Sequence, residues 1–404
     1  MTAKETGNPG PGPLGGLRVL DLSRVLSGPF CTALLADLGA EVIKVETPGR
    51  GDDSRHFGPH VKGESLYFAL INRNKKSITL NLKHPRASEL LRSVAAHCDV
   101  VVENFRPGVA QRLGLDYPTL CASNPRLVYL SITGFGQDGP CAGWAAYDLI
   151  VQAMSGIMSV TGQPDGPPTA LGESLADLWT GLTGAWAVLA ALHERTRSGC
   201  GDRIDLAMFD SLLAMQMTGL ANLQASGRAP PRVGNRHPAT SPVNTYRCRG
   251  ALVALVVPSD AQFRALCELM GDAGLCADAR FRRNTDRFEN EAALRERIEG
   301  WTQSLAVDEV VSRCHAAGIA AGPVWDLKQA AESAQASARG LLRPVSHPAF
   351  GELRVATQPA RFARAAPDAP RREPALGEHT DEVLSQLLGL DAAAIAALRK
   401  DGAL

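Results

Sequence analysis

LRVLDLSRVLSGPFCTALLADLGAEVIKVE, residues 17–46, carries the plan of the fold. LRVLDLS (17–23) reads as a short buried strand. Pro29 suits the first turn of a helix, where its missing N–H would have no partner in any case, and PFCTALLADLG continues helically to Gly39. EVIKVE (41–46) is the next strand. Two strands joined through a helix run parallel, and the crossover is right-handed. The unit recurs downstream, where SITLNL (77–82) alternates, PRASELLRSVAAH (85–97) is amphipathic, and VVVEN (100–104) and RLVYLSIT (126–133) read as buried strands. These segments predict an α/β fold on a Rossmann-like parallel sheet.

Past Asp177 the sequence LWTGLTGAWAVLAALHERTR reads as a long helix, RIDLAMF (203–209) as a strand and 210–226 as another helix. Residues 226–242 are rich in Pro, Gly and Arg and read as a linker. A strand at 251–258 with helices around 260–270, 290–303 and 307–317 predicts a smaller α+β domain over 243–325. The remainder, 326–404, has a turn-rich stretch, LRPVSHPAFGELRVATQP, and two short helices starting near Thr380 and Asp391. Residues 1–16 read as a flexible tail without the apolar core of a secretory signal.

A chain of 404 residues leads us to expect two or three domains. Lys plus Arg and Asp plus Glu both number 42, so no field of one sign exists to hold nucleic acid or an acidic membrane. Nine cysteines without a C-x-x-C pair read as free thiols, and no apolar run approaches membrane-spanning length, so the expected location is the cytoplasm. Walker A, G-x-S-x-G and H-E-x-x-H are absent, and no histidines pair at metal-ligand spacing. Gly134-Phe135-Gly136-Gln137-Asp138-Gly139 matches G-x-G-x-x-G after a strand, but Pro140 and Gly143 interrupt the helix that should hold a pyrophosphate. No nicotinamide, flavin or metal is expected. The Gly134–Gly139 loop keeps interest as a ligand-lining segment, with Gly134 and Gly136 as candidate backbone donors to an oxyanion.

Asp177 admits two readings. Ser174-Leu175-Ala176-Asp177 resembles a capping box with Asp in place of Glu or Gln. The same position leaves a carboxylate at a helix N-terminus, where the dipole favours its charge and it can act as a nucleophile. Gly181 and Gly184, one and two turns on, let another element approach this helix closely.

Taken in order, LRVLDLSRVLSGPF, LLADLGAEVIKVETPGRGDDSR, INRNKKSITLNLKHP, VVENFRPGVAQRLGLDY, LSITGFGQDGP, AAYDLIVQAMSG, ADLWTG and ALGEHT resemble the family III CoA-transferases. This CaiB/BaiF group also holds the 2-methylacyl-CoA racemases. The resemblance runs from about residue 14 to the C-terminus. It implies a large CoA-binding domain made of 17–225 and 326–404, a small domain at 243–325, and an interlocked homodimer. Asp177 falls on the nucleophilic aspartate of the pattern D-x-x-x-G. Val25, Leu26 and Ser27 match the first CoA-contacting loop, Leu80, Lys83, Asn104, Phe105, Arg106 and Arg112 match nucleotide-side contacts, and Tyr147 and Asp148 match the turn near the thioester. Coenzyme A and its acyl thioesters are the implied substrates, with no metal or redox cofactor.

Three departures bear on the substrate. The formyl-CoA branch has glutamine where Leu26 stands and a run of glycines that 228–246 lacks, which argues against oxalate or formate. Thr47 replaces an arginine that contacts a CoA phosphate. The racemases place a histidine where Tyr147 stands, and a phenol, with an ordinary pKa near 10, is a poor base at neutral pH. The expected reaction is transfer of CoA from succinyl-CoA to a small dicarboxylate, with racemisation as the alternative. Arg24, on the loop after the first strand, is the expected partner of a distal carboxylate.

Overall fold

A computed structural model of the chain describes residues 12–365 and 369–404. Residues 1–11 of the expected tail lie outside the described residues. Its last residues are not free: the Leu14 N–H donates to the Leu38 carbonyl at 2.9 Å, and the Leu14 side chain packs on the core.

Six strands form one all-parallel sheet: β1 (Arg18–Asp21), β2 (Glu41–Glu46), β3 (Lys76–Thr79), β4 (Val100–Glu103), β5 (Val128–Thr133) and β6 (Arg203–Ala207). Their order is β3-β2-β1-β4-β5-β6, so the winding reverses between β1 and β4. Every residue of β4 and β5 is buried, as expected of strands covered on both faces.

Helix α1 (Ser27–Asp37) packs on one face and stops at Gly39, which takes φ +99° and turns the chain into β2. On that face lie also α3 (Asp148–Met154), through Val151, and the long α4 (Leu175–Ser198), through Ala185, Val188 and Leu192. The other face is covered by α2 (Pro85–Ala95) and the C-terminal α5 (Thr380–Leu388) and α6 (Ala392–Lys400), whose Val383, Leu384 and Ile395 meet Ile43, Ile78 and Leu91. By length and composition α4 could cross a membrane. Its small residues instead face α1 and the sheet, and arginines close its last turn.

The chain packs as two units. One comprises the described residues up to Ile157, Ala170–Met217 and Gln335–Leu404; the other comprises Met158–Thr169 and Thr218–Ala334. The second unit has a three-stranded antiparallel sheet (Val243–Cys248, Ala251–Val256, Ala320–Pro323) around a core of Tyr246, Val253, Leu255, Phe263 and Leu266. It draws in residues 158–169, which composition does not set apart. Arg232, within the expected linker, donates to the Gly166 carbonyl at 2.7 Å.

Several expected elements differ in detail. The helix expected over 210–226 is two helices, Met208–Ala214 and Met217–Ser226. The turn-rich stretch near residue 345 is an antiparallel ribbon, Leu342–His347 against Gly351–Ala356. Pro344 hides that strand in the sequence, yet a two-stranded ribbon has edges where a missing N–H does no harm. In GPVWDL the strand ends at Pro323, and Asp326 opens the helix Leu327–Glu332 through a reciprocal capping box with Gln329.

Candidate active site

The strands of the large unit bury four charged side chains, all at or near carboxyl ends: Asp21 of β1, Lys44 and Glu46 of β2, and Glu103 of β4. Buried charge is costly unless it is paired and hydrogen-bonded. The Lys75 ammonium lies 2.9 Å from Asp21, the Lys44 ammonium 2.7 Å from Asp52, and Arg55 makes two 2.7 Å bonds to Glu46. Parallel register sets Asp21 beside Lys44, which brings the first two pairs together. Burial works against the Asp52 charge, yet Lys44 and the Ser54 N–H and hydroxyl hold its carboxyl well below the usual range.

These groups converge on the main chain of the loop after β1. Lys44 donates to the Ser23 carbonyl at 2.9 Å, the Asn104 side chain bonds both the Arg24 N–H (2.9 Å) and the Arg24 carbonyl (2.8 Å), and the Val25 N–H donates to Asp52 at 3.1 Å. Val25 has φ +68°, a left-handed conformation that a β-branched side chain adopts at a cost on the order of 1–3 kcal/mol. The turn brings Ser27 to the start of α1 and against Asp177.

Asp177 is the third residue of α4. The expected capping box does not form, since the Ser174 side chain makes no cap bond. The cap comes from Asp148, whose Oδ1 accepts from the Ala176 N–H at 2.7 Å and the Asp177 N–H at 3.4 Å, while its Oδ2 accepts from Gln152 at 2.7 Å. Asp177 is thereby left free to face the cleft. Burial, and then the Asp148 charge, push its pKa up to about 6, against the nearby Ser27 hydroxyl and N–H, which favour the charged form. It is ionised at neutral pH yet more basic than an ordinary carboxylate, and basicity favours nucleophilic attack.

The helix can carry Asp177 this close to α1 because Gly181, one turn on, has no side chain. A Cβ there would stand 2.6 Å from the Ser27 carbonyl oxygen and 3.0 Å from the Phe30 ring, and one at Gly184 would stand 3.3 Å from Cys31 Sγ.

A cleft of about 140 Å³ opens over the carboxyl ends of β1, β4 and β5, at the reversal point of the sheet, where open α/β sheets bind ligands. It brings together ten of the residues singled out from sequence: Arg24, Val25, Leu26, Ser27, Asn104, Phe105, Arg106, Gly134, Tyr147 and Asp177. It does not include Leu80, Lys83, Arg112, Asp148 or Gly136. Leu80 is a core residue, 1% exposed, beside Ile78; Lys83 and Arg112 are exposed away from the cleft. Asp148 stands behind Asp177 as its helix cap, and the Gly136 N–H is spent on the Thr133 hydroxyl at 2.9 Å, so it has no proton left for an oxyanion.

Sequence reasoning missed Asp52 and the cleft residues Asp53, Trp144 and Met208. Asp52 and Asp53 sit in GRGDDSR, but spacing alone cannot show which of two adjacent carboxylates turns inward. Asp53 shares its carboxylate between Arg50 at 2.9 Å and Arg24 at 3.4 Å, which leaves one unneutralised positive charge at the rim.

Residues 14–380 match the model of CoA-transferase family III. The chain is 45% identical over 332 residues to the acetyl-CoA:oxalate CoA-transferase of Acetobacter aceti, covering 82% of this chain and 85% of that one. It is 39% identical to the succinate–glutarate CoA-transferase of Agrobacterium fabrum, covering 93% and 96%. A crystal structure of a CAIB/BAIF family protein from Brucella suis superimposes with a TM-score of 0.84 at 38% identity, covering 93% of this chain and 100% of that one.

Proposed function

Since the chain belongs to CoA-transferase family III, we propose that it moves CoA from an acyl-CoA, with succinyl-CoA as preferred donor, to a small dicarboxylic acid through covalent intermediates on Asp177. The observation that carries this reading is the Asp177 carboxylate itself, freed by the Asp148 cap and lining the cleft over the carboxyl ends of the strands. Asp177 attacks the thioester carbonyl; the C–S bond breaks, giving a mixed anhydride and CoA thiolate. The thiolate attacks the aspartyl carbonyl, forming an aspartyl-CoA thioester and releasing the donor acid. The acceptor carboxylate attacks that thioester to give a new anhydride and the thiolate, which then attacks the acceptor's acyl carbonyl, yielding the product thioester and free Asp177. Thioester energy is conserved throughout, provided water is kept from the anhydride.

Arg106 lines the cleft and makes no ion pair among the described residues, which suits it to a CoA phosphate. Arg24 is the acceptor-side cation: its guanidinium is 63% exposed at the cleft and only half served by Asp53. A dicarboxylate keeps one charge after activation, and that charge needs a partner. Arg24→Ala should therefore raise KM for dicarboxylates about 10- to 100-fold more than for monocarboxylates of similar length, the worth of a charged hydrogen bond. Equal effects on both would remove Arg24 from the site.

The reading is tested by screening succinyl-, acetyl- and formyl-CoA against a panel of acids by mass spectrometry. Oxalate belongs in the panel despite Leu26 and the glycine-poor 228–246 segment, because the Acetobacter relative named for acetyl-CoA and oxalate supports it as an acceptor. Solvent deuterium entering the α-position of a 2-methylacyl-CoA faster than CoA is transferred would overturn transfer in favour of racemisation.

We further propose a homodimer. Trp179, Leu182 and Trp186 of α4 stand exposed along a groove with Ala214 and Met215, and Tyr147, Leu149 and Ile150 are exposed at and beside the start of α3. An apolar surface of this extent marks an association face. Sedimentation at micromolar concentration should give the mass of two chains; a monomer would contradict the assembly.

A further inference from the structure

We propose that Asp52 is a positioning residue for this reaction: clamped by Lys44, its carboxylate takes the Val25 N–H, holds the turn after β1 in its left-handed form and so aims Ser27 at Asp177. The inference rests on the transfer reading for its kinetic arm only.

Three separate segments reach this turn, and all of them bind main-chain atoms. Lys44 comes from β2, Asp52 from the loop that follows it and Asn104 from the end of β4; they hold the Ser23 carbonyl, the Val25 N–H, and both polar atoms of the Arg24 backbone. The Lys44–Asp52 pair is sealed, with side chains 0% and 1% exposed, and Asp52 is further fixed by the Ser54 N–H at 2.8 Å and hydroxyl at 2.7 Å. A buried carboxylate with every bond directed is a rigid anchor. Glycine would take φ +68° without strain, yet the chain places valine there, whose side chain lines the cleft. A cleft-lining side chain and a left-handed backbone are reconciled only if something holds the turn, and Asp52 is the one acceptor on the strained residue's own N–H among the described residues. Two residues farther on, Ser27 opens α1 at the cleft it shares with Asp177, and its hydroxyl and N–H favour the ionised form of that carboxylate.

The test is a double-mutant cycle on the full chain with Asp52→Asn and Val25→Gly. Asn keeps the shape of Asp but turns an amide toward Lys44, so the clamp loosens. With valine at 25, D52N should lower kcat about 30-fold, which is about 2 kcal/mol at 1.36 kcal/mol per decade. With glycine at 25 there is little strain to hold, and adding D52N should cost no more than about 3-fold relative to V25G alone. A merely structural role for Asp52 would give the same loss in both backgrounds, and that result overturns the proposal. Should D52N fail to fold, the pair-neutral K44M/D52N, which leaves no buried ammonium without its partner, goes through the same cycle. Hydrogen exchange gives a second readout that needs no activity. D52N should speed exchange in a peptide spanning 22–28 at least 10-fold while leaving 251–257 unchanged. Unchanged exchange at 22–28 overturns the proposal even if the protein transfers no CoA, whereas inactivity of the parent chain alone strikes only the transfer reading.

Discussion

Asp177→Ala should lower transfer at least 10⁴-fold in a protein that remains folded. A covalent carrier has no substitute, and nucleophile removal in other enzymes costs factors of this order or more. The fold should survive because the α4 cap is made by Asp148 and not by Asp177. The isosteric Asp177→Asn sharpens the test through pH. Burial and the Asp148 charge raise the folded pKa from 3.8 to about 6, so the folded state favours the protonated carboxyl. The stability this group contributes is fully present below about pH 4 and is lost as pH rises through 6. Its removal above pH 6 relieves a strained charge by about 1–2 kcal/mol, after discounting for partial exposure. D177N should therefore match or exceed the parent Tm at pH 8 and lose that advantage below pH 4. The parent's kcat/KM should fall on the acid side with a midpoint near 6. Mutant turnover above 1% of the parent in a folded protein would remove Asp177 from the covalent role.

Gly181→Val should damage stability and turnover together. Its Cβ would lie 2.6 Å from the Ser27 carbonyl oxygen and 3.3 Å from the Cys31 nitrogen, both backbone atoms of α1, which cannot swing aside as a flexible side chain can. Forcing extra volume into a packed contact costs about 1–3 kcal/mol. The relief route is separation of α4 from α1, which carries Asp177 away from Ser27; misplacement by about 1 Å can cost about 100-fold in rate. Urea midpoints and kcat measured side by side should both fall. Gly300→Ala is the control, since its helical position has open space around it and should gain a few tenths to 1 kcal/mol. A G181V protein with the parent's midpoint and turnover would show that the α1–α4 contact does not hold the site.

The parallel sheet was legible in LRVLDLS, EVIKVE, VVVEN and RLVYLSIT because short strand-length segments rich in Val, Leu and Ile alternate with helical ones, and crossover helices leave their own period. Asp177 was legible as a candidate, and Gly181 as a place of close approach, because both follow from position on a single helix. Which reading of Asp177 holds was not: the cap that frees it comes from Asp148, 29 residues earlier in the chain, and no local pattern links the two. The Ser174 capping box failed for the same reason, as a better acceptor arrived from elsewhere. Leu80 and Lys83 matched a motif yet do not line the cleft, since Leu80, just past β3, is buried in the core and Lys83 is exposed outside the lining. The left-handed Val25 turn belongs wholly to tertiary structure. Its conformation is unfavourable for valine in isolation and exists because Lys44, Asp52 and Asn104, from 21 to 80 residues away, arrive together on its backbone. Periodicity within a segment reports burial, but the convergence of buried charges depends on strand order and register, which form only when the whole sheet closes.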